Sequence, residues 1–411
     1  MKPIAEALST MLPAFRPRGA ERVGLFAAAG RVLAEDVAAR EDSPPFDNSA
    51  MDGYAVRAAD LAGASEGAPV TLPLGGESKA GESAPPALKP GHTIRIFTGA
   101  PMPAGADAVV MQEIVAREGE QASFQQAPPA WDNVRRRAGD LAAGKAMLRA
   151  GTVLGPAELG LLASQGYAAV SVARRPRVAL LSTGDELRDA SDPPRPGSIV
   201  NSNAYALAAQ VREAGGEPWV LPNAPDVMEQ VVAAVRLGLT ADVLITVGGV
   251  SVGEYDLVKD AFEQAGVTPA FWKVAIKPGK PLSFGTRGEQ VVVGLPGNPV
   301  SAMVTFEVFV RPGLRRMLGD PRPYRRRTRV RLAKSHEHRT GRTELARATL
   351  SESPEGPLAT LAGRQGSGSL TSMVGSDALV ILPADQAEFA EGELLDALLL
   401  DDPRGSAEPG W

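Results

Sequence analysis

The stretch VLITVGGVSVGEYD at residues 243–256 decides the fold of the central part of the chain. Its first five residues, Val243–Val247, form a continuous apolar run that is typical of a buried strand. A glycine-rich loop follows the run, and the spacing of apolar residues over Leu257–Ala265 then predicts a helix. A buried strand that leads through a glycine-rich loop into a helix is the repeating unit of a parallel α/β sheet.

The same alternation extends on both sides of this stretch. The sequence predicts four further strands, at Val178–Ser182, Glu217–Leu221, Phe271–Ile276 and Val291–Gly294. Helices are predicted between them, and a long helix is predicted over Pro299–Met317. This alternation specifies a doubly wound, largely parallel α/β sheet.

Two of the predicted helices have clear start signals. Asn203 is the predicted N-cap of the first helix, whose buried face is expected to contain Ala204, Leu207, Ala208 and Val211. Asp226 is the predicted N-cap of the second, whose inward face is expected to contain Val227, Val231, Ala234 and Val235. The pair Gly215-Gly216 is expected to end the first helix.

The segments that flank the α/β region have a different character. Residues 1–40 are predicted to be mostly helical, and residues 140–172 are predicted to contain a helix over Pro156–Gln165. Residues 41–139 instead combine many prolines with short β-like runs. After Gly319 the pattern is all-β and predicts a small sandwich or barrel. Its expected strands are Thr328–Leu332, Glu344–Leu350, Leu358–Leu361, Ala378–Leu382 and Glu393–Leu400.

The composition excludes several classes of protein. The chain has 411 residues, a formal net charge of −5 and no cysteine, which rules out disulfides, thiolate metal sites and cysteine nucleophiles. His336 and His338 could ligate a metal, but a surface strand is the favoured prediction for them. Because no histidine lies near the loops of the α/β region, a Ser–His–Asp hydrolase has little support. The mild acidity predicts no attraction to nucleic acid or to anionic membranes. Because neither a membrane span nor a signal peptide is visible, we expect a cytoplasmic protein.

Three loops follow predicted strands and should meet at one edge of the sheet. They are Thr183-Gly184-Asp185-Glu186, GGVSVGEYD at residues 248–256, and Leu295-Pro296-Gly297-Asn298-Pro299. Ligands of open α/β sheets bind outside the carboxyl ends of the strands. Gly248 and Gly249 allow backbone N–H groups to approach an anion closely. Each loop alone could be a plain tight turn, but the three together favour a ligand site.

Acidic and basic residues lie in and near these loops. Four loop acids suggest a Mg²⁺ site beside a phosphate, namely Asp185, Glu186, Glu254 and Asp256. Solvated loop acids or helix caps remain the alternatives, and for Asp256 the cap is about equally favoured. Lys273 and Lys277 should point to one face of an extended strand, and Lys280 follows on a stiff turn. The three lysines therefore predict a cluster that binds an oxyanion.

These residues resemble a known family, the molybdopterin molybdenumtransferases of molybdenum-cofactor biosynthesis, which include the gephyrin E-type domain. The resemblance runs in order through nearly the whole chain. It is carried by PPFDNSAMDGYAV (44–56), RIFTGAPMPAGADAVVMQE (95–113), RRRAGDL (135–141), VALLSTGDEL (178–187), GGVSVGEYD (248–256), FWKVAIKPGKPLSFG (271–285) and GLPGNPVSA (294–302).

The resemblance implies a multidomain α/β plus β protein with four domains. An elongated, discontinuous N-terminal domain would use residues 1–40 and 140–172, with a β-rich domain inserted at 41–139. An α/β molybdopterin-binding domain would span 173–319, and a C-terminal β-barrel would span 320–403. The resemblance also implies a homodimer whose active site is shared between subunits.

The implied reaction inserts molybdate into adenylylated molybdopterin with Mg²⁺, releases AMP and forms the molybdenum cofactor. Contacts with molybdopterin adenylyltransferase and with acceptor molybdoenzymes are implied as well. The catalytic residues would be Asp52, Thr98, Asp140, Glu186, Asp226, Asp256, Lys273 and Lys277, with Glu186 and Asp256 on the metal. The substrate-binding residues would be Thr183, Gly184, Gly248, Gly249, Ser251, Lys280, Pro296, Gly297, Asn298, Pro299, Arg347 and Ser367.

Two other functions are compatible with parts of the sequence. A molybdopterin adenylyltransferase would resemble the α/β region, but it would not need the preceding 170 or so residues that carry MDGYA and TGAPMP. A scaffold protein would not need the full set of acids and lysines, all of which are present. The sequence does not distinguish molybdate from tungstate, since the two oxyanions have nearly the same size and charge.

Overall fold

The structure is a computed structural model that describes residues 1–81, 84–249, 257–363 and 365–400. The chain divides into two compact units. Unit 1 comprises Met1–Glu35, Ala150–Gly155 and Ala169–Trp411, and unit 2 comprises Asp36–Arg149 and Pro156–Ala168. The α-helices are α1 (Ile4–Met11), α2 (Pro156–Ser164), α3 (Ser202–Glu213), α4 (Met228–Gly238), α5 (Leu257–Gln264), α6 (Pro299–Thr305) and α7 (Arg311–Met317).

A six-stranded sheet forms the centre of unit 1. Its strands lie in the order Glu217–Val220, Arg177–Ser182, Val243–Val247, Gln290–Leu295, Ser283–Arg287 and Thr268–Phe271. The first four strands are parallel to one another, and Ser283–Arg287 runs antiparallel to both of its neighbours, so the edge strand Thr268–Phe271 again has the direction of the first four. The predicted doubly wound, largely parallel sheet is therefore confirmed, although strand Ser283–Arg287, which forms an antiparallel hairpin with Gln290–Leu295, was not predicted.

Both faces of this sheet are covered by apolar residues, as a doubly wound fold requires. One face packs against α1, α3, α6 and α7, where Phe15, Leu207, Phe306 and Leu314 are buried. The other packs against α4 and α5 through Val231, Val235, Val258 and Phe262. A single turn of π-helix, Phe306–Val310, joins α6 to α7, so the long helix predicted over Pro299–Met317 forms with one irregularity.

The C-terminal part of unit 1 is a closed five-stranded barrel. Its strands pair in a ring in the order Thr343–Ser351, Leu358–Leu361, Arg327–Leu332, Leu394–Leu399 and Ala378–Leu382, and the last pairs with the first. Closure removes the exposed strand edges of the open sheet. The barrel interior is filled by small and branched apolar residues such as Val330, Ala346, Ala348 and Val380.

Shorter elements complete unit 1. Strand Ala20–Gly24 pairs with Ala169–Ala173, Leu187–Arg188 pairs with Ile199–Val200, and His336–Glu337 pairs with Glu388–Phe389. Strand Ile276–Lys277 pairs in parallel with the start of the barrel strand Thr343–Ser351. The predicted strand Phe271–Ile276 is wrong, because the sheet strand ends at Phe271 and Val274 pairs instead with Lys2.

Unit 2 contains a second six-stranded sheet. Its strands lie in the order Ala108–Met111, Gly53–Val56, Thr93–Ile96, Val70–Ser78, Gln121–Phe124 and Val115–Glu118. Two short pairs add to it, Asn48–Ser49 with Val134–Arg135, and Val37–Ala38 with Ala146–Leu148. The expectation of short strands and turns in residues 41–139 is confirmed. Among the residues that the structure describes, no helix is long and apolar enough to span a membrane.

Candidate active site

The described residues of the three predicted loops, which include Gly248 and Gly249 of the second loop, meet at one edge of the central sheet. Sheet hydrogen bonding continues into them, since Thr183 N–H donates to Val247 O (3.3 Å) and Gly248 N–H donates to Leu295 O (3.2 Å). The loops surround a cavity of about 400 Å³, here called the glycine-loop cavity. Its walls are formed by Ser182, Thr183, Glu186, Leu187, Ile199, Val200, Asn201, Ser202, Asn203, Val247, Gly248, Gly249, Pro281, Pro296, Gly297, Asn298 and Pro299.

Close approach of backbone to backbone shapes the floor of this cavity. A Cβ added to Gly297 would lie 3.5 Å from the Cα of Gly248, so the two loops touch through their main chains. Gly248 has a φ of 86° and Gly249 a φ of 64°, in the left-handed region that favours glycine. Thr183, Pro296, Asn298 and Pro299 lie beside these glycines at the cavity, as expected.

The start of α3 forms another wall of the glycine-loop cavity. Its N-cap is Asn201, whose side chain accepts a hydrogen bond from Ala204 N–H at 3.1 Å, so the prediction of Asn203 as the cap is wrong. Asn203 lies one residue inside the helix, and its amide donates to Gly297 O at 2.7 Å. The two asparagines of NSN are equivalent as sequence signals, and only the helix start distinguishes them. A helix N-terminus at the cavity favours a bound anion.

Glu186 contributes a carboxylate to the same cavity. The side chain is solvent-exposed and lies against Gly184, where a Cβ would collide with the carboxylate. Asp226 N–H donates to Asp185 Oδ1 at 3.1 Å, which brings Asp226 next to the Glu186 loop although it does not line the cavity. The helix-cap prediction for Asp226 is wrong, because α4 begins after Val227 without a side-chain cap. Val227, predicted to face inward, is 43% exposed.

A second cavity, of about 360 Å³ and here called the lysine cavity, adjoins the first. The two share Pro281, Pro296 and Asn298 as lining residues. The lysine cavity is also lined by Lys277, Pro278, Gly279, Lys280, Ser301, Arg342, Gln365, Gly366 and Ser367. The structure thus brings Lys277, Lys280 and Ser367 together, as expected, and adds the cation Arg342, which sequence reasoning missed.

The turn that carries Lys280 depends on close packing against α6. Gly279 has a φ of 113°, and a Cβ there would collide with the methyl group of Thr305. On the other side of the cavity, Ser367 is tied to the start of α6, since Asn298 Nδ2 donates to Ser367 Oγ (3.0 Å) and Val300 N–H donates to Ser367 O (3.1 Å). The barrel loop and the lysine turn therefore face each other across α6.

Lys277 is held by residues of the barrel. Its Nζ donates to Glu344 Oε2 at 2.8 Å, and His338 Nδ1 lies 3.2 Å from the same oxygen. The prediction that His338 lies on a surface strand is wrong, because its imidazole is buried against Phe389. His336 is partly buried, and this desolvation lowers its pKa. Neither buried partner of Lys277 was identified from the sequence, since both depend on closure of the barrel.

Among the described site residues of unit 1, Gly184, Asp226, Lys273 and Arg347 line neither cavity. Lys273 lies in a separate groove with Met1, Lys2, Glu6, Phe271 and Trp272, because the strand expected to align it with Lys277 does not form. Arg347 is fully buried, and its guanidinium donates to Ser372 Oγ (3.1 Å) and to Gly366 O (3.3 Å). Burial lowers the pKa of Arg347. Its contacts support the loop that carries Ser367.

Unit 2 contains three predicted residues, of which Asp52 and Thr98 are in contact. Thr98 donates from both its backbone N–H and its hydroxyl to Asp52 Oδ1, each at 2.7 Å, and these bonds hold the pKa of Asp52 below its usual value. Asp140 N–H donates to Ser43 O at 3.0 Å. The segment before Asp140 is strained, since three non-glycine residues, Trp131, Asn133 and Ala138, have φ values of 70°, 55° and 56°.

The remaining predicted residues belong to the glycine-rich loop at 248–256 and to the metal site. Ser251 and Asp256 lie outside the residues that the structure describes, and so does Glu254. Within the described ranges, no group of three or more His, Cys, Asp or Glu side chains could hold a metal ion. Glu186 is consequently the one predicted metal ligand that the structure places at the glycine-loop cavity.

Comparisons with known proteins agree with this organisation. Residues 2–166 match the MoeA N-terminal region (domain I and II), residues 179–316 match a probable molybdopterin binding domain, and residues 329–400 match the MoeA C-terminal region (domain IV). Molybdopterin molybdenumtransferase 2 of Mycobacterium tuberculosis is 40% identical over 394 residues, which cover 94% of this chain and 96% of the relative. Molybdopterin molybdenumtransferase of Bacillus subtilis is 36% identical over 412 residues, which cover 99% and 96%.

Solved structures support the same conclusion for the fold. The crystal structure of the molybdopterin biosynthesis MoeA protein from Pyrococcus horikoshii OT3 is similar with a TM-score of 0.84 and 31% identity, covering 97% of this chain and all of that one. A molybdenum cofactor biosynthesis protein from Pyrococcus furiosus, at 21% identity and a TM-score of 0.61, shares the fold. With its three regions matched in order and its relatives aligned over nearly their full length, this chain belongs to the molybdopterin molybdenumtransferase family.

Proposed function

We propose that this protein is a transferase of molybdenum-cofactor biosynthesis that inserts molybdate into adenylylated molybdopterin and releases AMP. The observation that carries the proposal is the pair of adjoining cavities, which share Pro281, Pro296 and Asn298. We assign the glycine-loop cavity to the adenylylated pterin and the lysine cavity to molybdate. The shared wall would then bring the two substrates into contact.

The glycine-loop cavity suits an adenylylated ligand. The N-terminus of α3 lines the cavity and would supply partial positive charge for phosphate oxygens. The apolar side chains of Leu187 and Ile199 offer contact to a flat ring. A volume of about 400 Å³ lies in the range of small-molecule sites.

The lysine cavity suits a small tetrahedral dianion. Lys277, Lys280 and Arg342 carry positive charge at its walls, and Ser367 can donate a hydroxyl hydrogen bond. Both substrates are anionic, so they repel each other. The three cations would reduce this repulsion. The protein would act mainly by positioning the substrates and neutralising charge, so it needs no nucleophile of its own.

We also propose Mg²⁺ as a cofactor. Mg²⁺ usually uses one or two carboxylates together with waters and substrate phosphates, so Glu186 at the glycine-loop cavity fits this role without a larger acidic cluster. Asp256 would be the second carboxylate. When bound, the ion would screen the charge of the adenylate phosphates.

The proposal also includes the number of subunits and the place in the cell where the protein acts. The working unit would be a homodimer in which Asp52, Thr98 and Asp140 of one subunit complete the site of the other. The protein would act in the cytoplasm, receive its substrate from molybdopterin adenylyltransferase and deliver its product to acceptor molybdoenzymes.

The experiment incubates the protein with adenylylated molybdopterin, Mg²⁺ and molybdate and measures AMP and cofactor by chromatography. We expect AMP release that depends on molybdate, with sulfate as the control oxyanion. AMP release that is absent, or that is independent of molybdate, would refute the proposal. A parallel reaction with molybdopterin and ATP tests for adenylyltransferase activity, and product formation there instead would favour that alternative.

A further inference from the structure

Beyond the residues assigned above, the structure contains a buried chain of three side chains at the wall of the lysine cavity. It runs from Lys277 through Glu344 to His338. Lys277 and Glu344 are also aligned by backbone, since strand Ile276–Lys277 pairs in parallel with Thr343–Ser351 and places Lys277 beside Glu344. The two residues are 67 positions apart in the chain, so this alignment depends on the barrel.

Glu344 is unusual because its side chain is only 1% exposed. A buried carboxylate has lost the hydrogen bonds of water and is stable only where charged or polar partners replace them. Two partners converge on one of its oxygens, Lys277 Nζ at 2.8 Å and His338 Nδ1 at 3.2 Å. Lys277 itself is 36% exposed at the cavity wall, and the buried Glu344 holds its ammonium group from behind that wall.

The orientation of His338 follows from its other nitrogen. His338 Nε2 lies 2.7 Å from Gln386 O and 3.0 Å from Pro383 O, and both carbonyl oxygens can only accept. Nε2 therefore carries a proton, which fixes the ring and directs Nδ1 at Glu344. His338 Nδ1 and Lys277 Nζ thus converge on the same carboxylate oxygen of Glu344.

From this geometry we propose that Glu344 and His338 are positioning residues for Lys277, which fix the place of its charge at the wall of the lysine cavity. Glu344 holds the ammonium group by an ion pair, and His338 holds Glu344. Neither residue lines the lysine cavity, so both act through Lys277 rather than on the substrate. The inference rests on the proposed function only in assuming that the ammonium group of Lys277 acts on the bound molybdate.

The first test measures the reactivity of Lys277 directly and needs no substrate. The wild-type protein is treated with a limiting amine-reactive reagent, and labelling is quantified by mass spectrometry at Lys277, Lys273 and Lys280. An ammonium held in a charge-assisted hydrogen bond should be labelled at least about fivefold more slowly than the exposed Lys280. Equal labelling of Lys277 and Lys280 would overturn the proposal.

The second test compares variants. Glu344→Gln keeps the size of the side chain but removes its charge, and we expect labelling of Lys277 to rise at least about threefold while labelling of Lys273 is unchanged. Glu337→Gln is the matched control, because Glu337 is exposed on the strand next to His338 and makes no bond to Lys277. An unchanged rate at Lys277 in Glu344→Gln would contradict the positioning role.

The third test uses a double-mutant cycle to ask whether holding Lys277 in place affects the rate of AMP release. Glu344→Gln should lower kcat for molybdate-dependent AMP release by about tenfold, with KM for the adenylylated pterin unchanged. In a Lys277→Ala background the same substitution should add less than about a twofold loss, since its effect passes through the lysine. Losses that multiply, or wild-type turnover by Glu344→Gln, would refute the inference.

Two controls separate this inference from other failures. If Glu344→Gln lacks a cooperative melting transition, His338→Gln replaces it in the labelling test and in the cycle, with the same expected directions. If the wild-type protein itself shows no molybdate-dependent AMP release, the proposed function fails, whereas the labelling results still decide whether Lys277 is held by Glu344.

Discussion

The glycine-loop cavity and the lysine cavity adjoin each other but are built in different ways. The first is formed by loops and the α3 start of the α/β region, and three glycines are among its lining residues. The second is lined by charged side chains, and its Arg342, Gln365 and Ser367 come from the barrel. Glycines and prolines that lie close together in the sequence are enough to predict loops like those of the first cavity. Charged side chains from distant segments come together only when those segments pack, so a cavity of the second kind cannot be predicted from local sequence.

The largest expected effect concerns the acids of the glycine-loop side. Asp256→Asn should lower molybdate-dependent AMP release at least about a hundredfold, because it removes a carboxylate that would hold Mg²⁺ at the adenylate phosphates. Asp260→Asn, an exposed position in α5, is the control and should have no effect. If Asp256→Asn melts and turns over like the wild type, Asp256 is only a helix cap and the cavity acts without it.

The next effect concerns the lysine side. Lys277→Ala should weaken molybdate binding by about tenfold at low salt, with a smaller difference near 1 M salt, where charges are screened beyond about 3 Å. Lys273→Ala should have a smaller effect on molybdate, because Lys273 lies in a separate groove. Isothermal titration at two salt concentrations measures both. Equal affinities of Lys277→Ala and wild type at low salt would reject the oxyanion assignment.

A third prediction extends the comparison to unit 2. If Asp52 of one subunit serves the cavities of the other, mixing inactive Asp52→Ala and Asp256→Ala proteins should restore about a quarter of wild-type activity after subunit exchange. Random mixing makes about half of the dimers mixed, and each mixed dimer would have one site without a lesion. Activity that stays absent after exchange has been verified by native mass spectrometry would show that each site is built within one chain.

The smallest expected effect concerns the charge of Asp52. The backbone N–H and the hydroxyl of Thr98 lower the pKa of Asp52 by stabilising its ionised form. Thr98→Val removes the hydroxyl bond, so the pKa of Asp52 should rise toward its ordinary value. If activity needs ionised Asp52, the acid limb of the pH–rate profile should move to higher pH. An unmoved limb would show that Asp52 does not control activity in that range.

Local pattern predicted most of the α/β region correctly. Val243–Val247 is a strand with the predicted ends, and α3 buries Ala204, Leu207, Ala208 and Val211 as expected. The errors concern residues whose state depends on a distant partner. The strand predicted at Phe271–Ile276 is interrupted where Val274 pairs with Lys2, and Asp226 bonds to the Glu186 loop instead of capping α4.

The sequence alone determined the alternation of the four parallel strands with helices, the absence of cysteine chemistry and the glycine and proline loops whose described residues line the glycine-loop cavity. Apolar periodicity and glycine act over a few residues, so neighbouring positions contain the whole signal. Only the tertiary structure decided that Lys277 and Lys273 lie in different grooves, that Arg342 joins Lys277, and that Glu344 and His338 are buried behind it. The physical reason is that these charges meet only after the barrel closes and its strand Thr343–Ser351 pairs with Ile276–Lys277.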